Sequence, residues 1–205
     1  MEQINSDSIE NVSTSIYIIS RIIDTCIYTG RIEEAQQYYN MSIDFLFDII
    51  SQTFDYFKNN SSDQIDDSKK DEYEILTSLA LSLVEYCMIV IVKPHIINEQ
   101  YFKIVEVVAS LLQINNLTLK LQTNISHFIN SMISNLFIRE IKDCESISSI
   151  QEYFESNTLP VVFTSVFTCL LSHNVNSVAC AYLIKAIHHM TTQKWYLEEI
   201  ISENF

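Results

Sequence analysis

The sequence predicts an all-α protein of seven to nine helices, on three grounds. Apolar residues return at steps of three and four along most of the chain, which places them on single faces of successive helices. Helix breakers are scarce: the 205 residues hold 1 glycine and 2 prolines, where average usage would supply roughly fourteen and ten. Isoleucine is heavily used, and its periodicity assigns it to helix faces rather than to strands. The same scarcity excludes functions. Gly30 alone cannot build a phosphate-binding loop, a dinucleotide fingerprint or a nucleophile elbow, each of which needs glycine where backbone turns sharply or approaches a ligand.

Val12, Ile16, Ile19, Ile23 and Cys26 set one face of a first helix over Ser8 to Tyr28, with Ile22 and Ile27 widening it. Gly30 stands where a helix C′ residue belongs. Ala35, Tyr39, Ile43, Leu46, Ile50, Phe54 and Phe57 mark a long second helix. Residues 58–72, with one apolar residue in fifteen, read as an acidic polar loop. That loop divides an N-terminal helical hairpin (1–57) from a run of helical repeats (73–205). A third helix carries Tyr73, Leu76, Leu79, Leu83, Cys87 and Val90 and stops at Pro94. Asn98 caps a fourth, which bears Tyr101, Val105, Val108, Leu111 and Leu112. Gln113 to Asn116 turn the chain into a fifth, with Leu117, Leu121, Ile125, Phe128, Ile129 and Met132 on one face. Ile147, Ile150 and Phe154 form a short amphipathic stretch before Asn157-Thr158-Leu159-Pro160, a cap followed by an early-helix proline. Helices near 160–172 and 175–191 follow, and Trp195 to Ile201 begin one more.

Two of these helix pairs are alike. Residues 101–132 superpose on 159–190 with an offset of 59 in the first helix, placing Val108 on Phe167 and Leu111-Leu112 on Leu170-Leu171. In the second helix an offset of 58 places Leu121 on Ala179, Ile125 on Leu183 and Met132 on Met190. A lone hairpin cannot hide its apolar stripe, whereas a row of like hairpins can. Over roughly residues 72–201 this pattern resembles the HEAT and armadillo class, which implies a right-handed α-solenoid of antiparallel helix pairs. The segment LPVVFTSVFTCLLSHNVNSVACAYLIKAI is similar to the paired helices of the karyopherin-β (importin and exportin) nuclear transport receptors. That resemblance implies a partial or divergent receptor whose superhelix carries basic cargo. Upstream, residues 22–46 look like one tetratricopeptide unit, with Gly30, Ala35 and Tyr39 at that motif's spacing. The alternative architecture is a compact helical bundle, viral or parasite, that captures a partner helix in a groove.

With 26 acidic against 12 basic residues the net charge is −14, so the surface repels nucleic acid and anionic lipid and would attract basic protein partners. Five cysteines without a CxxC pair, after a polar N-terminus, predict reduced thiols and an intracellular setting, cytoplasm or nucleus. Leu76 to Val92 is broken by Glu85 and is expected to be a core helix, not a membrane span. Cys169 and His173 lack a second pair of zinc ligands, and Asp63, Asp66, Asp67 and Asp71 lack the glycine and glutamate of a calcium loop. No catalytic residue, metal or cofactor is expected. At about 100° per residue, the side of the later helices opposite their apolar arcs carries Thr123, His127 and Asn130, then Lys185, His188 and Thr192. In an α-solenoid those helices line the concave surface. The six residues are therefore the candidate protein contacts of a non-enzymatic scaffold or adaptor.

Overall fold

A computed structural model describes residues 6–60, 66–90, 99–114, 117–138, 154–172 and 175–191. Among the described residues there are seven α-helices and no strand: α1 (Ser6–Tyr28), α2 (Ile32–Asn59), α3 (Asp67–Val90), α4 (Glu99–Leu111), α5 (Leu119–Ile138), α6 (Leu159–Leu171) and α7 (Ser177–Thr191). The protein is all-α, as its periodicity predicts. Asn98, Ile147, Ile150, His173 and the stretch from Trp195 to Ile201 lie outside the described residues.

Gly30 ends α1 with φ of 75°, a left-handed conformation. Its N–H donates to the Ile27 carbonyl at 3.0 Å, and the next N–H, from Arg31, donates to the Cys26 carbonyl at 2.8 Å. This is a Schellman cap, which satisfies the last carbonyls of α1 and turns the chain directly into α2. Ala35 and Tyr39 are fully buried at the resulting hairpin.

The acidic loop is shorter than its composition predicts. Lys58 and Asn59 complete α2, and Asp67 begins α3, so most of the polar run continues helix at either side. Asp66 Oδ1 accepts the Ser68 N–H at 3.0 Å and starts α3. Charged residues with adequate helix propensity extend an exposed helix end, so a solvated stretch need not be coil. Nor does packing divide there. α2 contacts both α3 and α4, α1 contacts α3, and Thr53 and Thr77 share a buried hydroxyl contact of 2.7 Å between α2 and α3. One hydrophobic core runs from Ile16 to Met190.

Beyond its charged first turns helix α3 is largely apolar, and its buried face differs from the expected one. Leu79 and Val90 are exposed, while Ala80, Leu81, Val84 and Met88 are buried beside Leu76, Leu83 and Cys87. By length and composition alone it is apolar enough to cross a membrane, and 50% of its apolar window is buried within the protein.

The substantial contacts join helices one or two places apart. α1, α3, α5 and α7 touch in succession, as do α2, α4 and α6, and the two rows meet through α1–α2, α2–α3, α4–α5 and α6–α7. Burial then corrects the internal alignment. An offset of 58 holds in both helices, pairing Tyr101 with Leu159, Ile104 with Val162, Val108 with Val166 and Leu111 with Cys169, all buried. The offset of 59 would set buried Val108 on Phe167, 49% exposed, and buried Leu112 on Leu171, 60% exposed. Runs of adjacent apolar residues fit either register as letters, but only one as burial.

The N-caps of α5 and α7 obey the same offset. Thr118 Oγ1 accepts the Leu121 N–H at 3.1 Å, and Asn176 Oδ1 accepts the N–H groups of Val178 at 3.1 Å and Ala179 at 2.9 Å. Each cap also reaches the preceding helix of its row. The Thr118 hydroxyl donates to the Glu74 carboxylate, which lies 3.5 Å from the Lys120 ammonium. Asn176 Nδ2 donates to the Leu119 carbonyl and to Thr123 Oγ1, both at 3.0 Å. In the other row, Thr158 Oγ1 donates to Glu106 Oε1 at 2.6 Å and Gln113 Nε2 donates to Ser165 Oγ at 2.9 Å. Thr158 therefore makes no side-chain cap for α6; a π-helical turn, Phe154–Thr158, feeds that helix from upstream.

Two substitutions test these features. A Cβ at position 30 would meet nothing within 4 Å, so Gly30→Ala is penalised by backbone conformation alone. It should lose about 1 kcal/mol in urea unfolding, and Gly30→Asn less. Asn176→Ala removes a cap and its links to α5, and should lose about 2 kcal/mol in the same measurement.

Candidate functional site

The polar side of α5 and α7 is partly taken up by the seam between them. Thr123 donates to the Leu119 carbonyl at 2.8 Å and accepts from Asn176, so it serves the α5–α7 contact. Asn130 is half-buried, and its Oδ1 is enclosed without a hydrogen-bond partner. His127 is exposed and bridges two neighbours: Nδ1 lies 3.3 Å from Glu85 Oε2 on α3, and the ring meets Tyr182 of α7 edge-on at 4.9 Å. Lys185 is exposed, its ammonium 6.0 Å from the Tyr182 ring centre. His188 is exposed beside His189, with ring centres 6.1 Å apart. Thr192 lies outside the described residues. The structure thus gathers Glu85, His127, Tyr182 and Lys185 into one patch across α3, α5 and α7.

Among the described residues no group of three or more His, Cys, Asp or Glu could hold a metal ion. Cys26, Cys87 and Cys169 are buried free thiols, and Cys180 is half-buried. Burial, with a smaller contribution from Asp24, pushes the Cys87 thiol up to about 12. Burial and the neighbouring Cys180 push Cys169 up to about 11. Such thiols stay protonated at neutral pH and are poor nucleophiles. The phenols of Tyr39 and Tyr101, whose ring centres lie 5.7 Å apart, are also raised by burial, and neither hydroxyl has a well-formed hydrogen bond.

A second surface escaped the sequence reading. An open groove of about 410 Å³ runs between α1 and α2, walled by Ile18, Ile22 and Tyr38, with Tyr17, Arg21 and Arg31 at its edges. Ile22 looked like a widening of the core stripe, yet it is 37% exposed, and Ile18 is 51% exposed. The signal was present as two apolar residues, Tyr17 and Ile18, outside the main stripe of α1. The apolar part of the groove, at Ile18 and Ile22, lies away from the α3 side of α1, whereas Tyr17 and Arg21 lie toward it. Asp24 marks the α3 flank of α1, where the Tyr86 phenol hydrogen-bonds to it, and Ile22 sits about 160° round the helix from Asp24.

No family model, curated protein or solved structure matches the chain.

The raised Cys87 thiol has a stability consequence. Its contribution is complete below the unfolded value near 9 and is lost as pH rises toward about 12. The melting temperature should therefore fall between pH 8.5 and 11, and Cys87→Ala should fall less over that range in parallel melts.

Proposed function

We propose that the chain is a short α-solenoid acting as a non-enzymatic, protein-binding adaptor. The observation that carries this reading is the contact pattern: substantial contacts link helices only one or two places apart, in two rows, with caps repeating at an offset of 58. Stacked hairpins of this kind grow in one direction and offer extended surfaces instead of a closed pocket. The exposed patch around His127 and the groove between α1 and α2 are two such surfaces. The acid excess, net −14, favours basic partners over nucleic acid at the general surface. The karyopherin-β resemblance rests on residues 159–187.

Solution scattering tests the array. The radius of gyration should exceed the roughly 17 Å of a compact chain of this length, and a value at or below it removes the solenoid. The adaptor role is tested by hydrogen exchange on the protein bound to an affinity-captured partner. Protection should fall on α1 and α2 or on the α3–α5–α7 face; a partner that leaves both unprotected refutes the reading.

A further inference from the structure

We propose that the groove between α1 and α2 seats an α-helix of a protein partner, one presenting a short apolar stripe flanked by a carboxylate. This rests on the adaptor reading and names the partner chemistry for one end of the array. Position is the first argument. α1 packs on α2 and α3, and exposed Ile18 and Ile22 stand about 120° and 160° round α1 from Asp24, the residue that meets α3. A volume of about 410 Å³ is in the range of sites that seat discrete ligands. From Tyr17 to Thr25 the groove follows α1 for about 12 Å, at a rise of ~1.5 Å per residue. That length suits two turns of a docked helix with anchors at i, i+3 or i+4, and i+7.

Charge is the second argument. The chain has 3 arginines and a net charge of −14, yet Arg21 and Arg31 both line this groove and no acidic side chain does. Their ion pairs are local and exposed: Arg21 lies 3.7 Å from Asp24, and Arg31 lies 2.9 Å from Glu34. Exposed pairs of this kind contribute little, and each guanidinium carries five donors. Arg31 commits Nε to Thr29 Oγ1 at 3.0 Å and one further nitrogen to Glu34. Fork donors remain for an incoming carboxylate, which they bind with defined geometry. A basic stripe would meet two like charges. An uncharged one would leave both arginines half-desolvated.

The probe is a phage-displayed library of amphipathic helices, randomised at its apolar and flanking positions and panned on the full chain. Selected peptides should carry an Asp or Glu beside an apolar i, i+4 pair. Anisotropy titration of one such peptide should show at least tenfold weaker binding to Ile18→Ser/Ile22→Ser and at least fivefold weaker binding to Arg21→Gln/Arg31→Gln. Replacing the peptide's acid by its amide should weaken binding to the wild type by a similar factor and leave binding to the arginine variant unchanged. Tyr38→Ser repeats the test from the α2 wall, and circular dichroism confirms that each variant is helical. Failure to enrich, enrichment without an acid, or indifference to these substitutions overturns the proposal. So does self-association in sedimentation that Ile18→Ser/Ile22→Ser abolishes, since the occupant would then be a second copy. An elongated scattering profile with a partner footprint confined to α3, α5 and α7 would leave the adaptor reading standing while this one fell.

Discussion

The interior helices carry apolar arcs too broad for one neighbour to cover. α4 buries Tyr101, Phe102, Ile104, Val105, Val108, Ala109 and Leu111 within 13 residues, and it needs α2, α5 and α6 around it to do so. α5 is similar, with Leu121, Ile125, Phe128, Ile129, Met132 and Ile133 divided among α3, α4 and α7. Burying apolar surface is the dominant favourable term in folding, at about 25 cal/mol per Å². A hairpin that exposes half of such an arc must therefore stand beside another hairpin. Two rows of helices follow from the width of the stripes.

Hydrophobic burial sets that arrangement only loosely along the helix axes, and polar side chains fix the register. Glu74 meets Thr118, Glu106 meets Thr158, Gln113 meets Ser165, and Asn176 meets Leu119 and Thr123. Each contact sits at a seam between successive helices of one row. A slide of one turn would strand these groups in a half-buried setting, where an unmet hydrogen bond is costly. Cap and seam are satisfied by the same side chain at Thr118 and Asn176, so helix starts and helix neighbours are specified together.

Regular stripes made much of the fold legible. Ile16, Ile23 and Cys26 in α1, and Ala35 through Phe57 in α2, are buried much as their spacing predicts, with Phe54 only partly so. Legibility failed where a helix is largely apolar, as in α3, or where apolar residues stand in adjacent pairs, as at Leu111-Leu112 and Leu170-Leu171. Composition misled at residues 58–72, because solvated charge and loss of helix are different things. Of the predicted contact residues, His127, Lys185 and His188 are exposed, whereas Thr123 is engaged by Asn176 and Asn130 is half-buried. Helical angle alone cannot say that a neighbour's asparagine will claim a threonine hydroxyl. The groove escapes for another reason: Ile22 reads as a widening of the core stripe, and Tyr17, Ile18 and Tyr38 belong to no stripe.

The contacts at these helix starts also have a direction. Thr118 is held by a side chain 44 residues earlier, Thr158 by one 52 residues earlier, and Asn176 by a carbonyl 57 residues earlier. Domains synthesised on a ribosome fold from the N-terminus as they emerge. Each of these acceptors is therefore already outside the tunnel when its donor arrives. The polypeptide can lengthen by adding one hairpin to a finished edge, and none of these seams waits for residues still to be translated.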